Sequence, residues 1–127
     1  MKNHLLGLTI TTTLLSGCAS APPVDVKSLN YGEKPDNPLA IAERVEKYNA
    51  LDAGSIQVKT IINPTKGYMQ ITGGVEAGWE YCYQVNGKNT FGGNTGWQYR
   101  YMLIRNNVGV YFARDNQAAT LCSNMKI

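Results

Sequence analysis

The sequence has almost no histidine, and its cationic residues form no cluster. Of its 127 residues, the one histidine is His4, which lies in the N-terminal segment 1–17. The chain beyond that segment therefore has no histidine base for catalysis and no His/Cys group with metal-ligand spacing. Its 12 Lys and Arg are scattered, without the basic run that is typical of nucleic-acid binding. We predict a protein that is not an enzyme, holds no cofactor or metal and binds no nucleic acid.

The sequence also lacks an apolar run long enough to cross a membrane as a helix. The apolar segment 5–15 has eleven residues, whereas a spanning helix needs about 20. Lys2 precedes the segment, and Leu-Ser-Gly-Cys at 15–18 ends it. A positive start, a short apolar stretch and small residues at its end are typical of a signal peptide.

The Leu-Ser-Gly-Cys segment resembles the lipobox of bacterial lipoprotein signal peptides. The resemblance implies cleavage before Cys18, diacylglycerol on its thiol and acylation of the new amino terminus. Several acyl chains, at about 0.8 kcal/mol per buried CH₂, hold a protein on the membrane permanently. Ala19, rather than Asp, implies the outer membrane by the sorting rule of enteric bacteria, with the domain facing the periplasm. The alternative is a buried amphipathic helix in which Cys18 stands by chance.

Composition divides the chain into three parts. We predict a signal peptide over 1–17, a lipid-anchored tether over 18–37, which is rich in proline and small residues, and a small domain over 38–127. Asn37-Pro38 is typical of a helix start.

The predicted helix runs to about Leu51. Its apolar stripe comprises Ile41, Val45 and Tyr48, with Ala42 beside them. This stripe is more typical of a core face than of a docking face.

Alternating aromatic and β-branched residues predict strands after this helix. We place them at 55–62, 68–72, 79–86, 97–105 and 108–113, with a turn at 63–67 and a loop at 75–77. Asn106-Asn107 suits a type I′ turn, which would set Leu103 opposite Val110 and Tyr101 opposite Phe112. Asp115 is a candidate cap for a helix over 116–122.

The predicted fold class is α+β. One main N-terminal helix packs on a mostly antiparallel sheet of four or five strands, and a short C-terminal helix or tail follows.

Two cysteines remain if Cys18 carries the lipid. An even pair in the oxidising periplasm predicts a disulfide between Cys82 and Cys122. Chain-entropy arithmetic gives such a bond roughly 4 kcal/mol of stabilisation. Two buried free thiols are the alternative.

The most distinctive motif lies between the third and fourth of these strands. Residues 85–96 read Val-Asn-Gly-Lys-Asn-Thr-Phe-Gly-Gly-Asn-Thr-Gly. They resemble the VNxKNxFGGxTG hairpin of a family of short bacterial envelope proteins, in which an Asp-x-x-Ser segment after a helix and a Cys-containing strand precede the turn. Here Asp52 to Ser55 and Cys82 stand in that order, while Gly87 replaces the usual Ala. The resemblance implies an envelope location and supplies no activity, catalytic residue or cofactor.

Two interpretations of this motif stay open. Its glycines and asparagines supply positive φ for a tight hairpin. Alternatively it is a binding loop, whose candidate contacts are Lys88, Asn89, Phe91, Asn94 and Trp97.

The aromatic residues of the two flanking strands also have two interpretations. They form one platform for a glycan or a partner only if the turn has an odd number of residues or a bulge. A role in the core is favoured. The rings are Trp79, Tyr81, Tyr83, Trp97, Tyr99 and Tyr101.

The sequence thus predicts a non-enzymatic outer-membrane lipoprotein. We expect an accessory or structural component of an envelope assembly, such as a secretion or surface apparatus, with a protein partner. The alternative is a small periplasmic binding or inhibitor module that recognises a cell-wall hydrolase or a glycan.

Overall fold

The computed structural model describes residues 23–125. The predicted signal peptide, the lipidation site Cys18 and the first part of the predicted tether lie outside these residues. The elements are α1 (Pro38–Asn49), a single 3-10 turn (Ala53–Ser55), β1 (Gln57–Ile71), β2 (Gly74–Asn86), β3 (Gln98–Arg105), β4 (Val108–Arg114) and α2 (Asp115–Asn124). Over the described range, no helix combines the length and the apolar character needed to cross a membrane.

The four strands form one open antiparallel sheet in the order β1-β2-β3-β4. The two helices contact different sets of sheet residues, α1 before the sheet in sequence and α2 after it. The α+β prediction is therefore confirmed in this form. Residues 23–125 contain no fifth strand.

Helix α1 packs on one face of the sheet, here called the α1 face. Its core comprises Ile41, Ala42, Tyr81, Tyr83, Met102 and Ile104, with Val45 and Val58 against them. The Oδ1 atom of Asn37 accepts a hydrogen bond from the N–H of Ala40 at 3.1 Å, as expected for a helix cap.

The prediction that Tyr48 belongs to the apolar stripe of the helix is wrong. Tyr48 is 88% exposed, and the carboxylate of Glu46 is buried instead. The inner face is centred near Ala42 and Val45, and at about 100° per residue Tyr48 projects to the side of it.

Helix α2 packs on the opposite face, here called the α2 face. Its buried cluster comprises Cys82, Tyr101, Leu103, Ala113, Ala118, Cys122 and Met125. A disulfide joins Cys82 in β2 to Cys122 in α2, with a Cα–Cα distance of 5.8 Å, which confirms the predicted pair. Asp115 begins α2 without a side-chain cap, and its Oδ1 atom lies 3.7 Å from Nη1 of Arg100.

The turn predicted at 63–67 is wrong, because β1 runs continuously through it. Pro64 lies where the register shifts between Ile62 and Thr65. Since β1 is an edge strand, the missing N–H of a proline is tolerated there. The loop predicted at 75–77 is also wrong, since these residues pair with 68–70 in the sheet.

A second irregularity in β1 changes which side chains are buried. The register shifts between Thr60 and Ile62, so that Val58 packs on the α1 face and Ile62 on the α2 face. The predicted alternation of residues 56–62 on one side therefore fails at Ile62.

The Asn106-Asn107 turn is confirmed, with φ of 52° and 62°. The pairing predicted beyond it is wrong, because the register shifts between Leu103 and Ile104. Leu103 is opposite Tyr111 and Tyr101 is opposite Ala113, which leaves Val110 as the extra residue of a β-bulge.

The six aromatic rings do not form one platform. Tyr81 and Tyr83 belong to the core of the α1 face, whereas Tyr101 belongs to that of the α2 face. Tyr101 is opposite Cys82, and Tyr83 is opposite Arg100. The number of residues between paired positions of β2 and β3 is therefore even, so odd-numbered residues of β2 face the opposite side of the sheet from odd-numbered residues of β3. The rings consequently divide between the two faces.

Residues 30–35, here called the strap, pack against Trp79 in the middle of β2 and Lys66 in β1. The indole N–H of Trp79 donates to the carbonyl of Gly32 at 3.0 Å. Lys66 Nζ lies 5.6 Å from the ring centroid of Tyr31 and 5.7 Å from that of Trp79. This last part of the predicted tether is thus attached to the domain.

Candidate functional site

The hairpin loop, residues 87–97, is ordered by its own hydrogen bonds. The Oδ1 atom of Asn89 accepts from the N–H groups of Phe91 at 3.0 Å and Gly93 at 3.1 Å. The backbone of Asn89 also accepts from Gly92 at 3.0 Å and donates to Gly93 at 2.8 Å. Gly92 has a φ of 79°, which favours glycine. Asn89 is thus the centre of the loop's internal bonding.

The base of the hairpin is attached to the segment after α1. The N–H of Lys88 donates to Oγ of Ser55 at 3.2 Å, and this hydroxyl donates to the carbonyl of Asp52 at 2.8 Å. Lys88 also pairs with Asn94 across the hairpin. The Asp-x-x-Ser segment and the glycine turn of the sequence motif are therefore in direct contact.

The aromatic residues of the loop have different surroundings. Phe91, near its tip, is 95% exposed. Trp97, at the end of the loop, is partly covered, and Lys59 Nζ lies 4.1 Å from its ring centroid. The structure brings Lys88, Asn89 and Asn94 together around the loop, with Phe91 projecting from it. Trp97 instead packs against β1.

A groove runs beside the hairpin between α1 and the α1 face, and we call it the α1 groove. It consists of two adjoining cavities of about 220 and 270 Å³. Both are lined by Glu46, Asn49, Arg100 and Arg114. The first continues to Val45, Tyr83 and Phe112, and the second to Leu51, Ile56, Lys88, Asn89 and Thr90.

The groove contains a buried polar cluster. Oε1 of Glu46 accepts from the Tyr83 hydroxyl at 2.8 Å and lies 3.3 Å from Nε of Arg100. Burial, together with the nearby Glu46 carboxylate, raises the pKa of Tyr83 far above its ordinary value, so the phenol remains a donor. The Arg100 guanidinium donates to the Tyr99 carbonyl at 3.2 Å and to Oε1 of Gln98 at 3.4 Å.

Sequence reasoning missed the groove residues Glu46, Arg100 and Arg114. Two signals were present. Glu46 adjoins Val45 on the inner side of the helix stripe, and Arg100 alternates with Met102 and Ile104, which predicts a charge facing the core. A carboxylate and a guanidinium on facing elements predict a buried pair.

A half-buried carboxyl, that of Glu80, lies on the α2 face. The Tyr101 hydroxyl donates to Oε1 of Glu80 at 2.8 Å. Burial raises the pKa of Glu80, and this hydrogen bond partly offsets the rise. Across residues 23–125, no three His, Cys, Asp or Glu side chains group in a way that could hold a metal ion.

Comparisons with models of protein families, with curated proteins and with solved structures give no match for this chain. The hairpin and the α1 groove are therefore the features from which we infer a function.

Proposed function

We propose that this chain is a non-enzymatic outer-membrane lipoprotein, an accessory component of an envelope assembly that contacts a protein partner through the hairpin loop. The observation that carries the proposal is Phe91, a large apolar side chain 95% exposed on an internally hydrogen-bonded loop. Aromatic residues dominate the binding energy of many interfaces. A loop that is already ordered loses less conformational entropy on binding than a flexible one.

The position of the hairpin supports this role. Trp79 lies near the middle of β2 and Asn86 at its end, seven residues apart, which at about 3.3 Å per residue is about 23 Å. The strap contacts Trp79, and the hairpin begins after Asn86. A lipid on Cys18, twelve residues before the strap, joins the domain at the strap. The hairpin is then at the far end of the sheet, where it can reach a partner.

The contact role is tested by recovering partners with the detergent-solubilised protein. We expect Phe91→Ala to reduce recovery of a partner at least tenfold with an unchanged melting temperature, because Phe91 is not packed in the fold. Tyr48→Ala is the matched control, since Tyr48 is an aromatic residue 88% exposed on α1. Equal recovery by the Phe91→Ala variant and by the wild type would reject the hairpin contact.

The lipoprotein assignment has its own test. Fatty-acid labelling is expected in the wild type and absent in Cys18→Ser, because the lipobox places the acyl chains on this residue. Equal labelling of both proteins would reject the anchor and leave the hairpin contact to be judged separately.

The α1 groove favours a second candidate function, a small periplasmic binding or inhibitor module for a cell-wall hydrolase or a glycan. The groove provides a concave surface with convergent polar groups beside the hairpin. An inhibitor is expected to lower the activity of a purified cell-wall hydrolase at equimolar concentration. An accessory component leaves that activity unchanged.

A further inference from the structure

We infer that the α1 groove binds a short peptide that bears a free carboxylate. The inference goes beyond the hairpin contact and needs neither the lipid anchor nor a protein partner. It is based on the shape of the groove, on its charges and on the groups along it.

The shape suits an extended ligand of a few residues. The two adjoining cavities, of about 220 and 270 Å³, together lie within the usual range of about 300–1,000 Å³ for ligand sites. They share the Glu46 and Arg100 region and extend from it in two directions, towards Phe112 and towards Leu51. A ligand that fills both must be elongated.

The charges of the groove favour an anion. Arg100 and Arg114 are directly opposite each other on β3 and β4, and like charges in such a pair are destabilising. Glu46 and Asp115 lie beside Arg100, at 3.3 and 3.7 Å. Within residues 23–125, no ion pair involves Arg114 or Lys88. A ligand anion beside Arg114 would relieve this repulsion.

The balance of charge favours a monoanion. Three cations, Lys88, Arg100 and Arg114, are set against the two carboxylates of Glu46 and Asp115. The excess is a single positive charge. A carboxylate supplies one negative charge and matches the planar donor pair of a guanidinium.

Arg100 also has unused donor capacity. Its side chain is only 11% exposed, and its Nε forms no hydrogen bond within the described residues, although Glu46 lies nearby. The guanidinium hydrogen bonds to Tyr99 and Gln98 are 3.2 and 3.4 Å long. A bound carboxylate would accept hydrogen bonds that the protein leaves weak.

The remaining lining groups favour a peptide. Amide side chains of Asn49 and Gln98 line the groove and can bond to peptide groups. Apolar side chains on its borders remain exposed, with Phe112 at 48% and Leu51 at 78%. These groups match the alternating polar backbone and small apolar side chains of a short peptide.

The test uses N-acetyl-alanyl-alanine, which has a free carboxylate, and its C-terminal amide as the neutral control. Amide chemical shifts of the detergent-solubilised full chain report binding. We expect saturable shifts at Gln98 and Arg114 with the acid, and an affinity at least tenfold weaker for the amide. Acetate is expected to bind more weakly than the acid, because it lacks the peptide groups.

The Arg114→Gln variant distinguishes binding in the α1 groove from general electrostatic attraction of the ligand to the protein. Arg114 is exposed, so the variant should remain folded, and we expect a loss of about tenfold in affinity for the acid. Arg44→Gln removes the same charge from the part of α1 outside the groove and should leave affinity unchanged. Failure of the acid to bind would overturn the inference, as would equal binding of the acid and the amide, affinity no greater than that of acetate, or full affinity in Arg114→Gln.

Discussion

The two faces of the sheet are stabilised in different ways. On the α2 face, apolar side chains surround a covalent bond between Cys82 and Cys122. On the α1 face, the helix is held by apolar contacts and by the buried cluster of Glu46, Tyr83 and Arg100. The face without the covalent bond contains the α1 groove and meets the base of the hairpin. The difference indicates that the disulfide to α2 secures the fold, and we propose that the α1 side supplies groups for binding.

The first prediction tests the covalent contribution. Replacing both Cys82 and Cys122 by Ala should lower the free energy of unfolding by about 4 kcal/mol, because the bond closes a loop of 40 residues. Denaturant unfolding measures this. A loss below about 1 kcal/mol would show that the two faces do not differ in this way.

The second prediction concerns the polar cluster. Glu46→Ala removes the acceptor of the Tyr83 hydroxyl and the carboxylate that pairs with the Arg100 guanidinium, and we expect a loss of about 3 kcal/mol in unfolding free energy. Glu46→Gln keeps an acceptor for the Tyr83 hydroxyl, so its unfolding free energy should fall by less than that of Glu46→Ala. Equal stability of the wild type and the Ala variant would mean that the cluster does not hold α1.

The third prediction separates the two adjacent glycines of the hairpin. Gly92→Ala should cost about 1–2 kcal/mol, because Gly92 has a φ of 79°. A Cβ on Gly93 would meet Asn89 only at 3.7 Å, an ordinary contact, so Gly93→Ala should stay within about 0.5 kcal/mol. Equal losses in the two variants would contradict the backbone argument.

The fourth and smallest effect concerns Glu80 on the α2 face. Its pKa is raised in the fold, so the folded state binds the proton more tightly than the unfolded state. Stability from this group is present below the ordinary carboxyl pKa of 4.5 and is lost as pH rises through the raised value.

Glu80→Gln, which keeps an oxygen to accept from Tyr101, should therefore be slightly more stable than the wild type at pH 7. The gain should disappear below the ordinary carboxyl pKa. Melting temperatures of the two proteins across pH 3 to 8 measure it. A wild type that is more stable than the variant at pH 7 would contradict the assigned direction.

The sequence predicted the features of the fold that depend on local patterns. The helix cap at Asn37 and the positive φ of Asn106 and Asn107 follow from residue types at single positions. The disulfide follows from the number of cysteines and the predicted compartment. The β-bulges do not follow from local patterns, because one extra residue such as Val110 changes neither the composition nor the hydrophobicity of the strand. Each bulge nevertheless moves the following side chains to the other face of the sheet.

Pro64 and its neighbours show a second limit. A stretch of Asn, Pro, Thr, Lys and Gly is typical of a turn, yet here it continues an edge strand. Only the position of β1 at the edge of the sheet makes the proline acceptable, and that position is a tertiary fact.

The candidate functional residues likewise fall into those that sequence patterns predict and those that depend on the tertiary fold. The hairpin loop is continuous in sequence, so its glycines and Lys88 could be named in advance. The α1 groove brings together Glu46, Arg100 and Arg114 from three elements, and its geometry requires the packed fold.

The central proposal, that the exposed end of the hairpin is the contact surface, is tested most directly by photocrosslinking in the envelope. A benzophenone amino acid at position 91 should give a discrete crosslinked product with a partner protein. The same group at position 48, which is comparably exposed on α1, is the control and should not give this product. Crosslinking at position 91 that does not exceed the level at position 48 would contradict the proposal.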